Sequence, residues 1–241
     1  MEALAEEARR RAEERDRLVE LVCHDLRTPL ATILMSAPRL ASGAPPGPEG
    51  ESARRAVALV TRAAHRMERI VADLADAAAL QSGRLTVDPA PQGPVALARE
   101  AIGAAQSAAH AQGVVLDLEA APGLPEVHAD RGRVLQVLGH LIRHAVQATP
   151  HGGRVAVRAS LEGERVRFAV DDGGPALPEE ERGRVFEPFR RGPDARHRGT
   201  ALGLAVVRGI VAAHGGEVGV ERAPDEGNTF WFTLPARRET H

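Results

Sequence analysis

The sequence predicts an α + α/β protein, an antiparallel helical hairpin followed by a two-layer α/β sandwich. Three observations carry this reading. Apolar residues recur at helical spacing along two long stretches of the first 80 residues. The segment Ala41 to Gly50, ASGAPPGPEG, separates those stretches with turn-forming residues. From Gly83 onward, short β-patterned runs alternate with helical ones, as expected of helices packed on a sheet.

Residues 2–20 are dense in Glu, Arg and Ala, all good helix formers. A stripe then runs through Leu18, Leu21, Val22, Leu26, Leu30, Ile33 and Leu34. Pro29 interrupts it and removes one backbone donor, so a kink just after His24 is expected. A second helix is expected over 52–80, with Leu59, Val60, Ala63, Met67, Ile70, Val71 and Leu74 on one face. A hairpin of two such helices cannot bury its stripe alone, and a homodimeric four-helix bundle is the economical solution. Residues 1–20 are expected to form a coiled-coil or signal helix leading in from an upstream sensor domain or protein.

After Gly83, strands are expected at 85–87 and 114–118 with a helix at 94–112 between them. A helix follows at 130–148. Strands at 154–160 and 165–171 pair across Glu162-Gly163-Glu164. A helix over 202–214 and strands at 217–221 and 229–234 complete the chain. The expected domain limits are 1–20, 21–82 and 83–237.

Composition excludes several function classes. The chain has 241 residues, 43% of them apolar, enough for a globular core. A net charge of -2 provides no electrostatic footprint for nucleic acid or an anionic membrane, and 2% aromatics leave few platforms for stacking bases. The single cysteine, Cys23, excludes an intramolecular disulfide and fits a reducing compartment. No apolar run approaches a membrane span, so a cytoplasmic chain without direct membrane contact is expected.

The chemistry concentrates in two places. His24-Asp25-Leu26-Arg27-Thr28-Pro29-Leu30 lies within the first helical stretch, and Thr28 follows His24 by one turn on the same side. A histidine in this setting can accept a phosphoryl group on nitrogen, or help water remove one. In the second half, Asp171-Asp172-Gly173-Gly174-Pro175-Ala176 follows a strand, where an acid can accept from a purine amino group. Gly199-Thr200-Ala201-Leu202-Gly203-Leu204 opens a helix, where free N–H groups and the helix dipole favour phosphate. Phe186-Glu187-Pro188-Phe189 lies between them, and Gly227-Asn228-Thr229 precedes the last strand.

The order His-Asp-Leu-Arg-Thr-Pro-Leu, Asp-x-Gly, Phe-Glu-Pro-Phe and Gly-Thr-x-Leu-Gly-Leu resembles the sensor histidine kinases of bacterial two-component systems. The resemblance runs from about Asp16 to Pro235. It implies a dimerisation and histidine-phosphotransfer domain followed by a catalytic ATP-binding domain of the gyrase/Hsp90/histidine kinase/MutL type. It also implies ATP, Mg2+ and a response-regulator receiver domain as partner. His24 matches the phosphoacceptor, Asp25 the acid that activates it, and Arg27 lies in the same motif. Thr28 matches the residue that positions water for dephosphorylation. Asp172, Gly174, Gly199, Leu202, Gly203, Leu204 and Thr229 match the nucleotide site.

Five positions depart from the family pattern. His144 stands where an asparagine holds magnesium, and His140 replaces another polar residue one turn earlier. Gln147 sits where a lysine or arginine often reaches phosphate. Ala176 and Ala201 replace glycines. Magnesium prefers oxygen ligands, for which imidazole nitrogen is a poor substitute. Two functions follow: ATP-dependent autophosphorylation of His24 and transfer to a regulator aspartate, or a pseudokinase or phosphatase-only docking module.

Overall fold

The computed structural model describes residues 2–187, 202–223 and 227–237, with side chains in the first helix described at Val19 and from Leu21 onward. The chain divides into two compact units, Met1–Arg84 and Leu85–His241.

The first unit is a helical hairpin of α1 (Glu2–Ser42) and α2 (Pro48–Gln81). α1 continues as one helix through Pro29 and Pro38, so Pro29 does not end it. Its missing N–H instead leaves the carbonyl of Asp25 outside the i→i−4 ladder. α2 begins with Pro48 in the first turn, where a missing N–H costs nothing, after Gly47 at φ 99°. It ends where Gly83, at φ +65°, turns the chain so that Arg84 N–H donates to Ala79 O at 2.8 Å. Cys23, Leu30, Ala64 and Val71 are buried between the helices, with Val19, Leu34, Leu74 and Ala75 packed around them. Most of the remaining stripe stays outside this seam: Leu21, Val22, Leu26, Ile33, Leu59, Val60, Met67 and Ile70 are all exposed.

The second unit is an α/β sandwich. Its main sheet has five strands in the order β2 (Val115–Ala120), β4 (Arg154–Glu162), β5 (Arg165–Asp171), β7 (Asn228–Pro235) and β6 (Val218–Arg222). Only β2 and β4 run parallel; the other neighbours are antiparallel. α3 (Pro94–Ala111), α4 (Arg131–Ala148) and α6 (Gly203–Ala213) supply the helical layer. α4 carries its apolar stripe, Val134, Val137, Leu138, Leu141, Ile142 and Ala145, into the core. Phe168 and Phe232, from adjacent strands, stack there with centroids 4.9 Å apart. Ion pairs tie β5 to β4 and β6 as well: Arg158 with Asp171 at 2.8 Å, and Arg167 with Glu162 and Glu221. Arg167 also lies over the Trp231 ring, 4.8 Å from its centroid.

One expectation is corrected. Residues 85–87 form no strand; a small ladder instead pairs β1 (Ala90–Gln92) with β3 (Val127–Ala129), because β3 lies opposite Ala90–Gln92. The sequence reading also lacks β3 itself and the single-turn helix α5 (Glu179–Arg182). None of the described helices is long and apolar enough to cross a membrane.

Candidate functional site

The first set of residues lies on α1. Cys23 and Leu30 point into the seam, and Cys23 Sγ donates to Val71 O at 3.5 Å. Burial pushes the Cys23 thiol up, and the nearby Arg27 charge only partly opposes it. The inward anchoring of Cys23 turns its neighbours outward: His24, Asp25, Arg27 and Thr28 are all exposed. Consecutive helix residues diverge by about 100°, and among the described residues no hydrogen bond joins Asp25 to His24. Thr28 lies on the His24 side one turn on, and its carbonyl accepts from Thr32 Oγ1 at 3.1 Å. An exposed imidazole flanked by a carboxylate and a hydroxyl can take a phosphoryl group and meet a partner protein.

The second set gathers where β5 ends, β7 begins and α4 terminates. Asp172 is buried, and a buried carboxylate requires donors. Gly174 N–H donates to its Oδ1 at 2.8 Å, and Asn228 backbone N–H does so at 3.3 Å. Asn228 Nδ2 lies 3.2 Å from Oδ1 and 3.4 Å from Oδ2. The same amide donates to Pro175 O at 3.0 Å, while its Oδ1 accepts from Leu177 N–H at 2.7 Å. Thr149, closing α4, accepts from Gly173 N–H at 3.0 Å. The loop after β5 is therefore tied to both α4 and β7.

Two glycines permit this closure. An added Cβ on Gly174 would lie 2.8 Å from the Ala148 Cβ. Gly227 has φ +100°, and a Cβ there would overlap the backbone carbonyl of Asp172. Ala176, at the other glycine-motif position, is exposed.

Thr229, buried, follows Asn228 at the start of β7. In the β5–β7 register it opposes Asp171, and its hydroxyl donates to Asp171 Oδ1 at 2.7 Å. Asn228, one residue earlier, is the strand residue that reaches Asp172. Sequence reasoning missed it because both residues are polar and the register alone decides between them. Leu202 and Gly203 are buried at the start of α6, with Leu204 half-buried, while Gly199 and Ala201 lie outside the described residues. Phe186 is buried with its ring centroid 6.4 Å from that of Phe230. Pro188 and Phe189 also lie outside the described residues.

His140 and His144 lie on α4, with Gln147 exposed near its end. The His144 ring meets Phe230 edge-on, with centroids 4.7 Å apart. His140 is buried, and its Nδ1 lies 2.8 Å from Arg143 Nη2. The donors at the implied metal position are thus imidazoles, beside a guanidinium. Among the described residues no three His, Cys, Asp or Glu side chains come together as a metal site. These residues do not fit magnesium, which requires oxygen ligands in near-octahedral order.

Comparison with known proteins agrees with this division. Residues 14–83 match a family model described as His Kinase A (phospho-acceptor) domain. Residues 129–238 match one described as histidine kinase-, DNA gyrase B- and HSP90-like ATPase. The chain is 28% identical over 229 residues to the adaptive-response sensory kinase SasA of Microcystis aeruginosa, covering 93% of this chain and 60% of that protein. It is 31% identical over 237 residues to the sensor-like histidine kinase SenX3 of Mycobacterium bovis, covering 97% of this chain and 57% of that one. The chain therefore spans between half and two thirds of the length of these two relatives. Among solved structures, full-length ShkA in complex with AMPPNP superposes with a TM-score of 0.73 at 31% identity, covering 93% of this chain and 47% of that chain. The catalytic domain of the histidine kinase ThkA superposes at 0.56 with 29% identity, covering 62% of this chain and 96% of that one. With a phosphoacceptor module and an ATPase-type module in this order, the chain belongs to the sensor histidine kinases and represents their transmitter region.

Proposed function

We propose that the chain is a homodimeric histidine kinase that transfers the γ-phosphoryl group of ATP to His24 and then to an aspartate of a response-regulator receiver domain. The exposure of His24 and Thr28 on a helix anchored inward by Cys23 carries this reading most directly. In the first step an imidazole nitrogen of His24 attacks the γ-phosphorus, the bond to the ADP oxygen breaks and a P–N bond forms. Asp25 is the adjacent carboxylate that receives the imidazole proton as the two side chains turn towards each other in the reaction. In the second step the regulator carboxylate attacks the phosphorus and His24 leaves. Thr28 positions water for the reverse, dephosphorylating reaction.

Asp172 is the base-reading group on this proposal. A carboxylate has about four acceptor sites, and a purine amino group is a donor that such a site accepts. Gly174 and Asn228 hold it in place. Leu202, Gly203 and Leu204 form the phosphate side of the site on this proposal; Gly199 and Ala201, of the same motif, lie outside the described residues.

One observation favours a second reading. His144 and His140 occupy the metal-facing flank of α4, and without a fitted magnesium ion the transferring charge loses its usual counterion. On that reading the chain is a docking module, or a phosphatase relying on Asp25 and Thr28 alone. Incubation with γ-labelled ATP separates the two. Acid-labile label on the native chain, absent from His24→Gln, is the expected result; an unlabelled native chain would sink the kinase reading.

A further inference from the structure

We propose that this nucleotide site operates without a divalent metal, and that Arg143, held by His140, supplies the positive charge that faces the phosphates. The inference rests on the reading of Asp172 as a nucleotide site.

His140, Arg143, His144 and Gln147 are spaced i, i+3, i+4 and i+7, so they share one flank of α4. Ala148, next along the helix, is the residue against which Gly174 closes. The flank therefore runs back from the Asp172 loop by successive turns. The first turn back offers His144, whose imidazole is a poor magnesium ligand and meets Phe230 edge-on. The second offers His140, buried, with Nδ1 at 2.8 Å from Arg143 Nη2.

That contact fixes its own polarity. A guanidinium only donates, so His140 Nδ1 is the acceptor. A buried imidazole thus holds a permanently charged, planar group on the residue next to His144, which stands at the family's metal-ligand position. Arginine in this form matches phosphate oxygens with paired N–H donors. Because the side chain is already oriented, less rotamer freedom is lost on binding. The same cation opposes a dication placed next to it, as like charges repel strongly at short range in a partly buried site. The change from oxygen to nitrogen donors and the presence of Arg143 therefore act in the same direction.

The test is calorimetric titration of the full chain with ATP and with adenosine, in excess Mg2+ and in EDTA. The native chain should bind ATP with the same affinity in both media, within about twofold, a difference of less than 0.5 kcal/mol. Arg143→Ala should weaken ATP about tenfold or more, the loss of one charge-assisted contact, while adenosine affinity changes by less than about twofold. Arg143→Lys, which keeps the charge, should bind ATP more tightly than Arg143→Ala. ATP affinity that rises about tenfold or more on adding Mg2+ would overturn the proposal. So would an equal loss of ATP and adenosine affinity in Arg143→Ala, which would mark the arginine as structural. Failure of the native chain to bind even adenosine would instead remove the nucleotide reading on which the inference stands.

Discussion

Asn228 and Asp172 form the buried contact on which the loop after β5 depends. The Asn228 amide lies 3.2 Å and 3.4 Å from the two Asp172 oxygens, and it bonds Pro175 and Leu177 on the same loop. One side chain therefore both solvates a buried carboxylate and fixes the segment that follows it.

Asn228→Ala should destabilise the second unit and weaken adenosine binding together. The substitution leaves a buried carboxylate short of a donor and two loop backbone groups without their partner, at a cost of about 1–3 kcal/mol. Chemical denaturation and adenosine titration measure the two effects. Asn228→Asp, which places two carboxylates in contact, should cost more than Asn228→Ala at neutral pH. A native-like midpoint for both variants would show that the contact contributes nothing.

The glycines of the site should differ sharply when changed to alanine. Gly227→Ala combines a φ of +100° with a Cβ overlapping the Asp172 carbonyl, so it should lose at least about 1 kcal/mol and disturb the loop. Gly173→Ala places its Cβ 3.4 Å from the Thr149 methyl, an ordinary contact, and should be close to neutral. Comparing thermal midpoints of the two variants tests the pair. Equal midpoints would contradict the geometry.

Asp130 gives the second unit a defined acid response. Burial raises its carboxyl pKa, but the N–H groups of Asp88, Arg133 and Gly132 outweigh that effect and hold it below the usual carboxylate range. A carboxyl depressed on folding stabilises the fold fully above its unfolded pKa. That stabilisation is lost as pH falls through the lower, folded value. Stability should thus decline from the ordinary carboxylate range downward, and Asp130→Asn should flatten this part of the profile. The variant should also lose part of the helix cap that Asp130 Oδ1 makes with Arg133 N–H at 3.1 Å. Urea midpoints between pH 3 and pH 7 check the slope; an unchanged slope in Asp130→Asn would refute the assignment.

The elements most legible in the sequence are those whose pattern is decided within the element. α4 is readable because its apolar residues repeat over 18 positions behind an Asp130 cap. β4 and β5 are readable because a positive-φ glycine, Gly163, punctuates two β-branched runs. β1 and β3 have three residues each and are defined only by each other, so neither run declares itself locally. The same limit applies in the site. Asp172 and Gly174 were visible as a motif, whereas the choice between Asn228 and Thr229 depends on cross-strand register. His144 was identifiable as an altered position, but its contact with Phe230 and the bond from Arg143 to His140 belong to the packed structure.

The hairpin makes a last prediction about assembly. Its seam buries Cys23, Leu30, Ala64 and Val71, yet Leu26 remains 44% exposed and Val60 53%. Leu21, Val22, Ile33, Leu59, Met67 and Ile70 are also exposed, apolar side chains that one hairpin leaves in water. A second copy can cover them, and a stable interface needs about 800 Å² per partner, within reach of two long helices. Leu26→Arg with Val60→Arg should convert a dimer to a monomer, because a dimer would have to bury unpaired guanidinium groups. Helicity should change little, since both side chains lie outside the seam. Light scattering and circular dichroism on the same samples measure the two expectations. A native chain that is monomeric at high concentration, or a double variant that remains dimeric, would show that these side chains do not join the two copies.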